Sequence, residues 1–149
     1  MAYKDKYPTL YEMGELSVTA FSPGEKAYAK AESINLNFTV KNNLGKTIKS
    51  MAAAVKIGYA ADGVRDVCRT IDVYGSDASL VTVNLAAGKT KTIQKTVTIP
   101  AASSLNGVSD YLETYPDLRT LPVWIELYSE CAGESTKVDR YVFGEVVID

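Results

Sequence analysis

The sequence predicts an all-β protein, an antiparallel two-sheet sandwich of about seven to nine strands. Three observations carry the prediction. Apolar and polar residues alternate with a period of two along most of the chain, turn residues recur about every 8–15 positions, and helical periodicity is nearly absent. The 149 residues suit one domain, and 46% hydrophobic with 23% charged residues is enough to build a core without a metal or disulfide staple. We divide the chain into an N-terminal arm, residues 1–14, and a single sandwich domain, residues 15–149.

The strands follow in order. Leu16, Val18 and Ala20 alternate and stop at Pro23-Gly24. From Ile34 to Lys41 the alternation has no fault, and Asn42-Asn43-Leu44-Gly45 supplies turn chemistry. Met51, Ala53, Val55, Ile57 and Tyr59 share a face, and the opposite parity of Ile48 predicts a bulge near Lys49-Ser50. Asp62-Gly63 is a hairpin signal leading into Val67 to Tyr74, where Ile71 and Val73 share a face. Leu80 to Leu85 is a short strand. Between Lys89 and Ile99 one face is Thr90, Thr92, Gln94, Thr96 and Thr98, while Lys89, Lys91 and Lys95 interrupt the apolar face. Lysines so placed blunt a sheet edge. Residues 101–120 form the one long irregular stretch, with one short helix near 109–114: Asp110 and Glu113 have capping-box spacing and Pro116 stops the turn. Leu121 to Ser129 and Lys137 to Ile148 complete the sheets.

Several chemistries are excluded or unsupported. Histidine is absent, which removes His-based triads, His proton relays and every metal site with a His ligand. Ser103-Ser104 has no Ser-x-x-Lys partner, and Asp110, Glu113 and Asp117 read as solvated caps rather than as acid/base or Ca²⁺ groups. Asn37-Phe38-Thr39 matches a glycosylation triplet of a kind that chance produces often. No glycine-rich phosphate loop occurs, and the net charge of −2 with so few clustered lysines gives no nucleic-acid groove. The expectation is therefore no catalytic, cofactor-binding or metal-binding residue, no cofactor and no enzyme. Cys68 and Cys131 are expected as free thiols; the alternative is a disulfide closing a loop of about 60 residues. The N-terminus lacks the apolar run of a signal peptide and no segment is long enough to insert in a membrane. The chain is expected to be made and kept in the cytoplasm, or to leave it by assembly or lysis.

Ser33 to Asn43 followed by Gly45-Lys46-Thr47-Ile48-Lys49, and later Ala87-Gly88-Lys89-Thr90 leading to Val97-Thr98-Ile99-Pro100, resemble the paired strands of an arrestin-like sandwich. The same passages are similar to CARDB-type immunoglobulin-like modules. The resemblance spans Leu16 to Pro100, just over half the chain, and implies an Ig-like fold with a non-catalytic adaptor role.

The surface carries the functional expectation. A hairpin turning at Gly133-Glu134 sets Val123, Ile125 and Leu127 toward the core opposite Gly144, Val142 and Arg140. It leaves Trp124, Glu126 and Tyr128 outside, opposite Phe143, Tyr141 and Asp139. Four aromatics on a wet face need a cover, either another subunit or another part of the chain. The arm, with Tyr3, Tyr7, Leu10 and Tyr11, is the candidate cover, on its own sandwich or on a neighbour. The expected interface is Tyr3, Tyr7, Tyr11, Trp124, Tyr128, Tyr141 and Phe143, with other protein subunits as partners. The expected role is a structural or assembly protein, such as a capsid decoration or tail component of a virus or bacteriophage; the alternative is an arrestin-like or CARDB-like adaptor.

Overall fold

A computed structural model describes residues 3–22, 24–28, 32–61, 64–100, 105, 107–117 and 120–147. The arm opens with helix α1 (Tyr3–Lys6), a 3-10 turn (Pro8–Leu10) and strand β1 (Tyr11–Glu12). The sandwich strands are β2 (Leu16–Ser22), β3 (Lys26–Tyr28), β4 (Glu32–Asn42), β5 (Ile48–Ala61), β6 (Val64–Tyr74), β7 (Val81–Leu85) and β8 (Thr90–Ile99). Helix α2 (Val108–Thr114) precedes β9 (Thr120–Glu130) and β10 (Lys137–Val147).

Two sheets result. The large one runs β1-β10-β9-β5-β6, with β3 also on β10 and β7 also on β5; the small one runs β2-β4-β8. Pairing is antiparallel except for β3, which lies parallel to β10 through Gly144–Val146. Alternation explains the core. In β4, Ile34, Leu36, Phe38 and Val40 are buried while Ser33, Asn35, Asn37 and Lys41 are exposed. The large sheet answers with Met51, Ala53, Val55 and Ile57 on β5 and with Leu121, Val123, Ile125 and Leu127 on β9, all without solvent contact.

Most expected elements are present. A register shift between Ile48 and Ser50 supplies the anticipated bulge. β8 is an edge strand, with Lys95 exposed and the Lys91 ammonium lying 5.0 Å from the centre of the Tyr74 ring. Asp62-Gly63, Pro23, Ser103-Ser104 and Ile148 lie outside the described residues; Ala61 and Val64 pair with each other. Both cysteines are buried and free.

Two expectations are corrected, and one strand is new. Helix α2 begins after Gly107, whose φ of +83° suits glycine, so Asp110 lies inside the first turn and makes no cap. Strand β3 was not anticipated, because three residues carry no readable period. The β9–β10 register differs by one residue over most of its length: Trp124 pairs with Val142, Ile125 with Tyr141 and Glu126 with Arg140. The reason is the loop. Glu134 N–H bonds to the Cys131 carbonyl at 3.0 Å inside a wide connection, and the register returns to the expected one at Val123↔Gly144 only through a bulge at Phe143. Arg140 and Val142 consequently take the outer face, while Tyr141 and Phe143 turn toward the sandwich.

Candidate functional site

The arm lies on the outer face of the large sheet, over β9 and β10. Its elements are four, three and two residues long, too short to hold shape alone, so their order derives from docking. β1 pairs with the outer edge of β10 at Tyr141 and Arg140, just beyond the stretch that β3 takes. Between arm and sheet, Leu10, Trp124 and Val142 form a separate apolar cluster, each at 0% exposure, with Tyr3, Tyr7 and Tyr11 packed around it. Burying Leu10 contributes roughly 1.5–3 kcal/mol.

A polar clasp closes this contact. Glu145, on β10, is buried, and one of its oxygens, Oε2, takes three donors. Lys6 Nζ lies 2.6 Å away, Thr120 Oγ1 donates at 3.0 Å, and the Tyr7 hydroxyl donates to the same atom. Burial pushes the Glu145 carboxyl up, but the hydrogen bonds from Lys6, Tyr7 and Thr120 outweigh it and hold the group below the ordinary glutamate range. Tyr7, desolvated and donating to that carboxylate, is held above the ordinary phenol range. Because the Lys6 side chain is 46% exposed, the ion pair itself contributes no more than about 1 kcal/mol.

A second chain of contacts crosses the same face. Trp124 Nε1 donates to Glu126 Oε2 at 2.9 Å, Arg140 lies 3.7 Å from Glu126 Oε1, and its other terminal nitrogen lies 3.8 Å from Glu12 on β1. Where arm meets sandwich, Asp139 accepts the backbone N–H groups of Gly14 at 2.8 Å and Leu16 at 3.0 Å. Burial raises the Asp139 carboxyl despite those bonds.

The structure thus gathers Tyr3, Tyr7, Tyr11 and Trp124 of the expected interface, and does so within one chain. Tyr141 is half-buried with its ring 5.3 Å from Phe21 and 5.5 Å from Tyr11. Phe143 is a core residue, 4.8 Å from Phe21, rather than a surface one. Tyr128 is buried on the outer face, away from the arm cluster, with Glu126 and Asp77 as its acidic neighbours. Sequence reasoning named Leu10 as part of the cover but missed Val142, Glu145, Lys6 and Thr120. Only the break that Glu145 makes in an otherwise apolar run, Val142 to Val147, hinted at any of them.

Elsewhere, Tyr59 stacks on Tyr111 at 4.4 Å beside α2, and burial together with a hydrogen bond to Asp66 pushes the Tyr111 phenol up to about 12. Asp110, Glu113 and Asp117 are exposed, and among the described residues no group of three or more Cys, Asp or Glu is placed to hold a metal. No helix among them is long and apolar enough to cross a membrane.

No family model and no curated protein matches this sequence. Among solved structures, the chain is similar to the C-terminal domain of wzt at 7% identity, covering 93% of this chain and 76% of that one with a TM-score of 0.51. Similarity also extends to the sporulation control protein Spo0M from Bacillus subtilis, at 16% identity, 92% of this chain and a TM-score of 0.49. This chain spans about half (51%) the length of the Spo0M chain. A CARDB domain from Pyrococcus furiosus aligns over 93% of this chain and 98% of its own at 12% identity, with a TM-score of 0.39. The two sheets make the fold an all-β two-sheet sandwich, and the wzt domain shares it.

Proposed function

We propose that this sandwich is a non-catalytic binding module that works through protein-protein contacts, and that its contact region is the β9–β10 face beneath the arm. One observation carries the reading. The apolar pair Trp124 and Val142 is covered by a separable segment, made of very short elements and clasped through one carboxylate, rather than by another layer of the sandwich. A partner that offers a similar aromatic segment competes for the same edge of β10 and the same cluster.

Deletion of residues 1–13 tests it. The reading expects a chain that still folds, with its single tryptophan moved into water, and that binds a peptide of residues 1–13 added in trans. A truncated chain that stays folded and ignores the peptide sinks it. The arm also favours a second reading, a subunit of a repeating assembly such as a virion decoration or tail component, because arms that dock on neighbours build assemblies at low cost. That version expects a particle-bound fraction on sedimentation from the native source; a protein found only as free monomer removes it.

A further inference from the structure

The outer face of the small sheet has a composition that the fold does not require. On β4 the outward residues are Ser33, Asn35, Asn37, Thr39 and Lys41; directly opposite on β8 stand Thr98, Thr96, Gln94, Thr92 and Thr90. One of these ten positions is charged, against the quarter to a third (roughly) usual for a solvated surface. β2 continues the pattern, placing Ser17 opposite Lys41 and Ser22 opposite Asn37.

Much of the face is internally satisfied. Ser33 and Thr98 hydroxyls lie 3.2 Å apart, those of Thr39 and Thr92 3.1 Å apart, and Thr96 donates to Asn35 Oδ1 at 2.8 Å. Those bonds, with χ1-stiff threonines, hold the side chains of this surface in place. Between them Asn37 and Gln94 face each other across the two strands, and neither amide has a hydrogen-bond partner among the described residues. They border a shallow recess of about 250 Å³, lined by Asn35, Leu36, Asn37, Gln94, Lys95 and Thr96.

From this placement we propose that the β2-β4-β8 face binds a neutral polyhydroxylated ligand, a glycan chain, centred on Asn37 and Gln94. A carboxamide offers an acceptor and two donors in one plane, and adjacent sugar hydroxyls each donate and accept, so two facing free amides match a pair of vicinal diols. An ionic ligand finds little counter-charge here: Lys95 is the one charged residue of the six that line the recess, and Lys41 the one charged position of the ten on the face. The face carries no aromatic platform among the ten positions, so binding rests on hydrogen bonds alone and is weak, with a Kd of about 1 mM. The site is on the sheet opposite the arm and stands independently of the function proposed above.

The test is a titration of the full chain followed by the side-chain amide resonances of Asn35, Asn37 and Gln94. The probes are cellohexaose and maltohexaose, with an acidic hexagalacturonate as comparison. The proposal expects saturating shifts at those amides with at least one neutral hexasaccharide, and no dependence on added salt. Asn37→Ala with Gln94→Ala should weaken binding by about tenfold or more. Asn37→Asp, which keeps the shape and adds a charge, should weaken it as well. The proposal is overturned by no saturating shift up to about 10 mM sugar, by preference for the acidic oligosaccharide, or by binding that survives both substitutions. Shifts that track protein concentration without sugar, the mark of two copies stacking, overturn it too.

Discussion

Trp124 and Leu10 touch the same cluster yet belong to parts of the molecule with different local stability. Ile125, the next residue of β9, is buried between the two sheets whatever the arm does, so Ile125→Ala should cost about 2–5 kcal/mol in urea denaturation. Leu10→Ala can cost no more than the arm's own docking free energy, because a weakened arm simply releases and leaves the sandwich folded. Equal losses from the two substitutions would contradict this. Glu145 gives the pH dependence. Its folded-state pKa is depressed, so its contribution is complete above the ordinary value of 4.5 and is lost as pH falls through the lower folded value. Asp139 has the opposite sign: its raised pKa favours the fold on acidification through the range above 3.8. As the chain holds one tryptophan, its emission reports the arm. Acidification below about pH 4.5 should shift that emission to the red, whereas Glu145→Gln should show the loosened arm at neutral pH and no acid step of its own.

At the scale of elements, the parallel strand β3 depends on a missing side chain. A Cβ at Gly144 would stand 2.4 Å from the Lys26 carbonyl oxygen and 2.8 Å from the Tyr28 ring. Gly144→Ala should therefore displace β3 and cost about 1–3 kcal/mol, read from a thermal melt. Gly45→Ala, where nothing lies within 4 Å of the added atom, should stay within about 0.5 kcal/mol. Strands such as β4 and β8 were legible because each buries one face, which forces alternation; Lys91 and Lys95 on the apolar side even marked β8 as an edge. β3 was not legible, since Lys26-Ala27-Tyr28 is held by pairing and close approach rather than by pattern. The bulge at Phe143 escaped for a related reason. Both neighbours of the bulge alternate normally, and the geometry of the 131–136 loop, which sets register, is not written in polarity.

For the whole molecule, the sequence showed a surplus of aromatic rings and an arm able to cover them, and left open on which sandwich the arm docks. Here it docks on its own. The carboxylate that receives it was hidden, because Lys6 and Glu145 are 139 residues apart and only the fold joins them. The account therefore makes the arm a clasp whose opening is a local event, separate from unfolding. Native-state amide hydrogen exchange tests this most directly, at Tyr7, whose N–H bonds to the Tyr3 carbonyl at 2.8 Å, and at Leu10, bonded to the Tyr7 carbonyl at 2.9 Å. The account predicts that both exchange through openings far cheaper than those exposing β4 and β5, and that Glu145→Gln speeds the arm amides alone. Arm amides that exchange only with global unfolding, in step with β4 and β5, would contradict it.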